Sequence, residues 1–292
     1  MSPRPIDSSL HSPVAPAEKK KRPWYVFLFY GVIIAATVVT VFVGGNLAYL
    51  NLSFGMPVFI NGTSMYPYLN LDAERKSSNG YRPLRFDDGN SMDGDRVDYG
   101  YAKPKDRLNL PNDIHRYDVL VTYYPSDYSP SGALNKRAAL KIKRVIGLPG
   151  ETLTYRIVKT SEGESENANP IWGEVTVTSS EFPTGKTLTP LYKEADYRLE
   201  GRPYAYPEST YGWASEGSFT ITLGPKEYLV AGDNRGYSYD GIAGRFAISE
   251  SMIEGKVYLI VGKGKMVVGA EGDSVDINYS YLFAPWAYRR IG

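Results

Sequence analysis

The sequence has no cysteine and only two histidines, His11 and His115. The first absence excludes a disulfide scaffold, a thiol nucleophile and a cysteine-bound metal. The second makes a histidine-rich metal site untenable. A Ser-His-Asp triad could draw only on His115 if His11 lies in a tail. Excess charge is also missing: 33 Lys and Arg face 32 Asp and Glu, a net charge of +1. That balance argues against a nucleic-acid binder, which would carry a basic patch or stripe. One long stretch, between Arg22 and Asp72, holds no charge at all.

What is present is strand-forming. The 292 residues include 25 tyrosines and 42% apolar residues. This favours a β-rich body of one large domain or two small ones. Met1 to Ala17 is rich in Pro and Ser and has little to bury, so residues 1–22 are expected to be a disordered basic tail ending in Lys19-Lys20-Lys21-Arg22. Trp24 to about Leu50 is uncharged and long enough to cross a bilayer core, which takes about 20 residues. Trp24, Tyr25 and Tyr49 sit near its ends, where interfacial aromatics are favoured. The expectation is a transmembrane helix over residues 23–50. The preceding cations put the tail in the cytoplasm and residues 51–292 outside. A cleavable signal peptide is the rival, but its apolar core would run only about 7–15 residues. A buried core helix is the plainer alternative.

After the span, an apolar run from Met56 to Ile60 leads into Asn61-Gly62-Thr63-Ser64-Met65-Tyr66-Pro67. A strand running into such a turn can expose the Ser64 hydroxyl beside a free backbone N–H, as a nucleophile requires. A plain turn would use the same residues. Residues 51–71 could lie against the membrane surface, in the domain core, or both. Residues 72–112 are polar and read as a surface excursion. His115 reads as an exposed residue at the start of a strand. Asp118 to Tyr124 is a strand stopped by Pro125, and Ala138 to Glu151 a strand closed by a Pro-Gly turn. Alternation puts Lys141, Lys143 and Val145 on one face and Leu140, Ile142 and Arg144 on the other. Strands over Thr152–Val158 and Glu174–Thr178 suggest a second β-rich lobe inserted within 152–222. Ala231 to Asp240 is a loop dense in turn formers. The aromatic segment Tyr279–Tyr288 is too short to span; it either touches a membrane interface or packs on the domain.

Four of these segments, in order and spacing, resemble one family, the type I signal peptidases. Gly62-Thr63-Ser64-Met65-Tyr66-Pro67 resembles their serine box. Arg116-Tyr117-Asp118-Val119-Leu120-Val121 is similar to their next strand. Lys143-Arg144-Val145-Ile146-Gly147-Leu148-Pro149-Gly150-Glu151 is similar to their lysine box. Gly232-Asp233-Asn234-Arg235, with Ser238 and Asp240, resembles their last box. The resemblance covers the anchor and catalytic core, not residues 72–112 or most of 152–222. It implies a mostly β fold: an antiparallel catalytic core with an inserted second lobe, on one N-terminal transmembrane helix in the plasma (inner) membrane. It implies Ser64 as nucleophile and Lys143 as general base. Ser238 would orient the Lys143 amine, and Asp240 and Arg235 would support the loop that carries Ser238. Val58, Ile60, Met65, Val121 and Ile142 would line shallow substrate pockets, although ordinary core packing explains apolar residues equally well.

The implied substrates are exported preproteins with small residues before the cut, met at a lipid membrane, without nucleic acid. No metal or other cofactor is implied, because hydroxyl, amine and water suffice. A lysine base must be neutral, so Lys143 needs an apolar surround to lower its pKa from about 10.4. Leu140, Ile142 and Val145 are the candidates for building it. Three departures stand out. Tyr68 replaces the usual Thr. Gly62 stands where some members carry a serine hydroxyl that helps bind the oxyanion, leaving that role to the Ser64 N–H, with Thr63 as a possible helper. Gly241-Ile242 follows Asp240 in place of Ser-Arg, which removes an Asp–Arg ion pair unless Arg245 replaces it. Two further readings stay open: a specialised member with a narrow substrate range, and an inactive membrane-tethered binding protein of the same fold.

Overall fold

The computed structural model describes residues 23–85, 87–160, 170–188, 206–207, 217–269 and 272–291. The expected tail 1–22 lies outside them. The chain divides into two units, Met1–Gly45 and Asn46–Gly292. The described part of the first unit is helical. It belongs to a 30-residue helix, α1 (Trp24–Ser53), free of charge and proline. At 1.5 Å per residue that is about 45 Å. The helix is long and apolar enough to cross a membrane. Its side chains are apolar on every face and nearly all exposed, as a lipid-facing helix would be.

The helix ends within the second unit. Phe54 N and Gly55 N both donate to Leu50 O, and Gly55 takes a φ of +85°. This is the left-handed stop that glycine allows. Arg107 donates to the last-turn carbonyls of Asn51 and Leu52. A cation there meets both orphan acceptors and the negative end of the helix dipole.

Two antiparallel sheets follow. In chain order their strands are β1 (Met56–Phe59), β2 (Glu74–Ser77), β3 (Gly80–Pro83), β4 (Arg96–Pro104), β5 (Val119–Thr122), β6 (Lys141–Gly147), β7 (Thr152–Thr160) and β8 (Pro170–Thr178). They continue as β9 (Lys186–Thr187), β10 (Tyr206–Pro207), β11 (Ser218–Thr222), β12 (Glu227–Ala231), β13 (Ile248–Ser249), β14 (Ile253–Val267), β15 (Ser274–Ile277) and β16 (Arg289–Arg290). The larger sheet has eleven strands in the order β13-β12-β6-β5-β14-β4-β2-β3, with β1 on β4 and both β15 and β16 on β14. The smaller sheet has five, β10-β8-β7-β11 with β9 on β8.

The fold class is the expected one: mostly antiparallel β with one apolar N-terminal helix and a second β-rich lobe. The surface excursion over 72–112 is corrected. That segment contains β4, a nine-residue strand buried over most of its length and paired with β1, β2 and β14. Polar letters disguised it. Asp98 is buried but bonded to Asn70, Lys263 and Arg289. Gly100 lacks the Cβ that would otherwise meet Leu259 O at 2.0 Å, so β14 can close against it. An apolar cluster of Ile146, Leu153, Tyr155, Val177, Phe219 and Ile242, among others, lies between the two sheets. A second cluster backs the serine segment and joins Val58, Ile60, Met65, Val119, Val121 and Val257.

Candidate active site

Ser64 lies in a series of tight turns just after β1. Tyr66 N donates to Thr63 O, and Leu69 N to Met65 O. The turn is clamped from below by Asn70, which is fully buried with a φ of +64°. Its Nδ2 donates to Ile60 O and Gly62 O, each at 2.8 Å, and its Oδ1 accepts from Asp98 N at 2.7 Å. A short carboxamide suits such a position, because it tolerates left-handed backbone and bonds locally. Gly62, Thr63, Met65, Tyr66 and Pro67 are buried, while Ser64 is half-exposed. The backbone N–H of Ser64 meets no acceptor among the described residues.

Lys143 comes from the middle of β6. Its Nζ lies 2.9 Å from Ser64 Oγ and 3.0 Å from Ile142 O. The residue is 5% exposed. Burial lowers its pKa to about 8, helped by Lys141 and opposed by the nearby carboxylates of Asp240 and Asp233. Both carboxylates are engaged elsewhere. Asp233 forms a bidentate pair with Arg144, with Nε and NH2 each at 2.7 Å. Asp240 accepts from the backbone N–H groups of Gly232, Ile242 and Ala243. Leu140 is 43% exposed and contributes little to the lysine's surround, contrary to the expectation. The other lysine of the strand, Lys141, pairs with Asp127.

The loop after β12 closes on the serine turn. Asn234 N donates to Ser64 O at 3.0 Å and Asn234 Nδ2 to Thr63 O at 3.1 Å. Gly232 is wedged between the two parts. A Cβ there would sit 2.5 Å from Ser64 O and 2.3 Å from Ser238 Oγ. Ser238 is thus brought to the site and is buried. Arg235 opens the short 3-10 turn Arg235–Tyr237 in the same loop.

The departures acquire physical reasons. Gly62 has a φ of +77°, and a Cβ on it would meet Gly89 O at 2.9 Å and Asn90 Cα at 3.1 Å, so a side chain does not fit. Thr63 is only 1% exposed and its Oγ1 is sealed without a hydrogen bond, so it does not face a substrate. Tyr68 stacks under Arg144, at 4.3 Å from ring centroid to guanidinium. Ile242 is buried between the sheets, where the family arginine would put a charge into an apolar cluster. Arg245 lies over the ring of Phe219, and Asp240 accepts from three backbone amides, Gly232, Ile242 and Ala243.

The five expected pocket residues do meet in one cluster behind Ser64. Val58, Ile60, Met65 and Val121 are buried there, and Ile142 is half-exposed. His115 is exposed, as expected, with its ring beside Asp118. The residues that sequence reading missed are Asn70, Asn234 and the Arg144–Asp233 pair. Asn234 lay within a quoted motif, while Asn70 carried no signal.

The family described as signal peptidase, peptidase S26, matches residues 29–262, more than half of the chain. A comparison with curated proteins found no match. Among solved structures, a signal peptidase I from Enterococcus faecalis V583 is similar at 21% identity and a TM-score of 0.27. The overlap covers 49% of this chain and 95% of that one, and at that score it carries nothing further.

Proposed function

The chain belongs to the peptidase S26 family of signal peptidases and is a hydrolase that acts on signal-peptide-bearing preproteins, and from that premise we propose a membrane-bound endopeptidase working through a Ser64–Lys143 dyad. The observation that carries the proposal is the 2.9 Å approach of a buried lysine amine to a half-exposed serine hydroxyl. Ser–Lys pairs follow the logic of the catalytic triad with an amine in place of imidazole. Burial holds a larger fraction of Lys143 neutral near neutral pH, and neutral amine takes the Ser64 proton. The Ser64 N–H donates to the oxyanion. Ser238 orients the amine, and Asp240 and Arg235 hold the loop that carries it.

The peptide adds to the open side of β6. Strand β12 pairs with β6 over Arg144, Val145 and Gly147, and among the described residues no strand pairs with Lys141–Lys143 on that side. An extended substrate would supply the missing strand and deliver its carbonyl beside Ser64. Ile142 is the wall residue that such a strand touches first. Val58, Ile60, Met65 and Val121 form the floor that keeps the pockets shallow and apolar.

The membrane anchor in this reading is the stretch 23–50, most of which lies in helix α1 (Trp24–Ser53). Residues 1–22 are cytoplasmic, and 51–292 form the extracytoplasmic protease domain. Segments 72–112 and 152–222 lie within the matched residues 29–262 but outside the four motif-like stretches. The narrow-range reading rests on those segments and on Ile242. The test is cleavage of an Ala-x-Ala preprotein in detergent by wild type, Ser64→Ala and Lys143→Met. Wild type is expected to cut after the second Ala and both variants to lose activity about 10⁴-fold or more. Folded variants that still cleave would overturn the dyad.

A further inference from the structure

A tetrahedral intermediate is held best by two preorganised donors, and Ser64 brings one, its own N–H. A second can be sought in what packs on the residues just before it. That is the segment Asp88–Ser91. Thr63 N donates to Gly89 O at 3.1 Å. Gly62 N donates to Ser91 Oγ at 2.8 Å, and Ser91 N donates to Asn61 Oδ1 at 3.0 Å. The far side of the segment is fixed by Arg75, which is 6% exposed. Its NH1 donates to Asp88 O at 2.9 Å, its NH2 to Asn90 O at 2.7 Å and its Nε to Asp95 Oδ2 at 3.1 Å. A planar guanidinium with three separate acceptors is a rigid strut.

One side chain of this clamped segment reaches solvent right beside the serine turn. Asn90 is exposed, and its Oδ1 lies 3.4 Å from the point where a Cβ on Gly62 would stand. Its carboxamide therefore stands at the edge of the space that a side chain on residue 62 would enter, beside Gly89 O and Asn90 Cα. The same group offers an N–H donor at its other end, exchanged by rotation about the last torsion. The two nearer hydroxyls are buried: Thr63 Oγ1 is sealed, and Ser91, whose Oγ accepts from Gly62 N, is largely shielded from solvent.

We propose that Asn90 is a catalytic residue, the second donor of the oxyanion hole, supplied by a segment outside the four family-like stretches. The proposal rests on the Ser64–Lys143 reading. In the step it serves, Ser64 Oγ bonds to the scissile carbonyl carbon and its proton passes to Lys143 Nζ. The carbonyl π pair moves onto oxygen, and that oxyanion accepts hydrogen bonds from Ser64 N–H and Asn90 Nδ2–H. Collapse breaks the C–N bond, and the leaving amine takes the proton from Lys143. Water then repeats the sequence on the acyl-enzyme. A neutral donor suits the site, since it stabilises the anion without adding charge beside the amine.

The test compares full-length wild type, Asn90→Ala and Asn90→Asp in detergent on an Ala-x-Ala preprotein. Asn90→Ala is expected to lower kcat about 10²–10³-fold with little change in KM. Asn90→Asp is isosteric and keeps the backbone bonds, yet it sets a carboxylate against the oxyanion, so it is expected to lose more. In a Ser64→Ala background, Asn90→Ala should leave peptide Kd unchanged. Wild-type kcat in either Asn90 variant overturns the proposal, and so does a loss confined to KM. Cleavage that survives Ser64→Ala would instead overturn the dyad on which the proposal rests.

Discussion

The two sheets of the Asn46–Gly292 unit use polar side chains in opposite ways. The eleven-stranded sheet and its loops bury charge and answer it residue by residue: Lys143 with Ser64, Arg144 with Asp233, Arg75 with Asp95 and Lys256 with Asp118. The five-stranded sheet keeps its described polar pairs outside. Thr152–Thr222 and Thr154–Thr220 meet across strands at 3.0 Å on an exposed face, and Arg156 reaches Glu174 in solvent. Its inner face is Leu153, Tyr155, Val177 and Phe219, with the two rings stacked at 5.8 Å. Burying charge is costly and is retained where it does chemistry or fixes a geometry. The first sheet therefore sets a protonation state, and the second covers apolar surface.

The largest break in that contrast is Lys143→Met. It removes the base, and with it the activity, by the margin given above. It should also stabilise the fold at neutral pH. The folded pKa of about 8 lies below the unfolded one, so the unfolded chain binds more protons between about 8 and 10.4. Stability of the wild type thus rises with pH through that window, and below it the desolvation cost of the ammonium is present in full. The difference corresponds to about 3 kcal/mol. Urea titrations at pH 7 and pH 10 should show wild type gaining on Lys143→Met as pH rises. The same pKa predicts that kcat/KM of wild type climbs with pH up to about 8 and then levels.

Next comes Arg144→Met. It removes the guanidinium that pairs bidentately with buried Asp233, and removing one partner of a buried pair costs about 3–5 kcal/mol. With that guanidinium gone the Asp233 charge is less offset and favours the charged form of Lys143 more strongly, so the rising limb of the pH–rate profile should move to higher pH. A variant of wild-type stability with an unmoved limb would show that the pair does not insulate the lysine.

Much of this contrast was written in local letters, and some was not. Lys143 was legible because Lys143 to Glu151 resembles the lysine box of the signal peptidases; strand alternation alone puts Lys141 on the same face. The helix was legible from its uncharged length, predicted over 23–50 and found at Trp24–Ser53. Strand β4 was hidden because Asp98 and Gly100 break its apolar alternation, and the partners that license them are far away in sequence. Arg144 and Asp233 are 89 residues apart, and Asn70 gains its meaning only when Asp98 stands opposite it. Each of these long-range polar matches depends on tertiary geometry, which composition and period do not encode.

Ile242 tests the border between the two sheets. It stands where the family resemblance leads one to expect arginine, and it is fully buried against residues of both sheets. Ile242→Ala should cost about 2–5 kcal/mol, the range for deleting such a side chain from a packed core. The backbone bonds of Ile242 N and Ala243 N to Asp240 do not use the side chain, so kcat at saturating substrate should change little. If kcat fell as steeply as stability, the small sheet would be part of the catalytic geometry and the division of labour would fail.

The smallest effect expected is on the outer face of the small sheet. Arg156 and Glu174 pair at 3.1 Å with side chains 66% and 43% exposed. Exposed pairs of this kind contribute about 0–1 kcal/mol, because water screens the attraction and two long side chains must be ordered to make it. Arg156→Ala should therefore leave urea stability within about 0.5 kcal/mol of wild type and leave cleavage of an Ala-x-Ala preprotein unchanged. A preprotein-selective loss would mean something else. If Arg156→Ala cut one preprotein poorly and others normally at full stability, the exposed face would be reading substrate. The narrow-range reading would then have a surface to rest on. Uniform cleavage across the same preproteins leaves that face as cover alone, and selectivity would have to come from the groove beside β6.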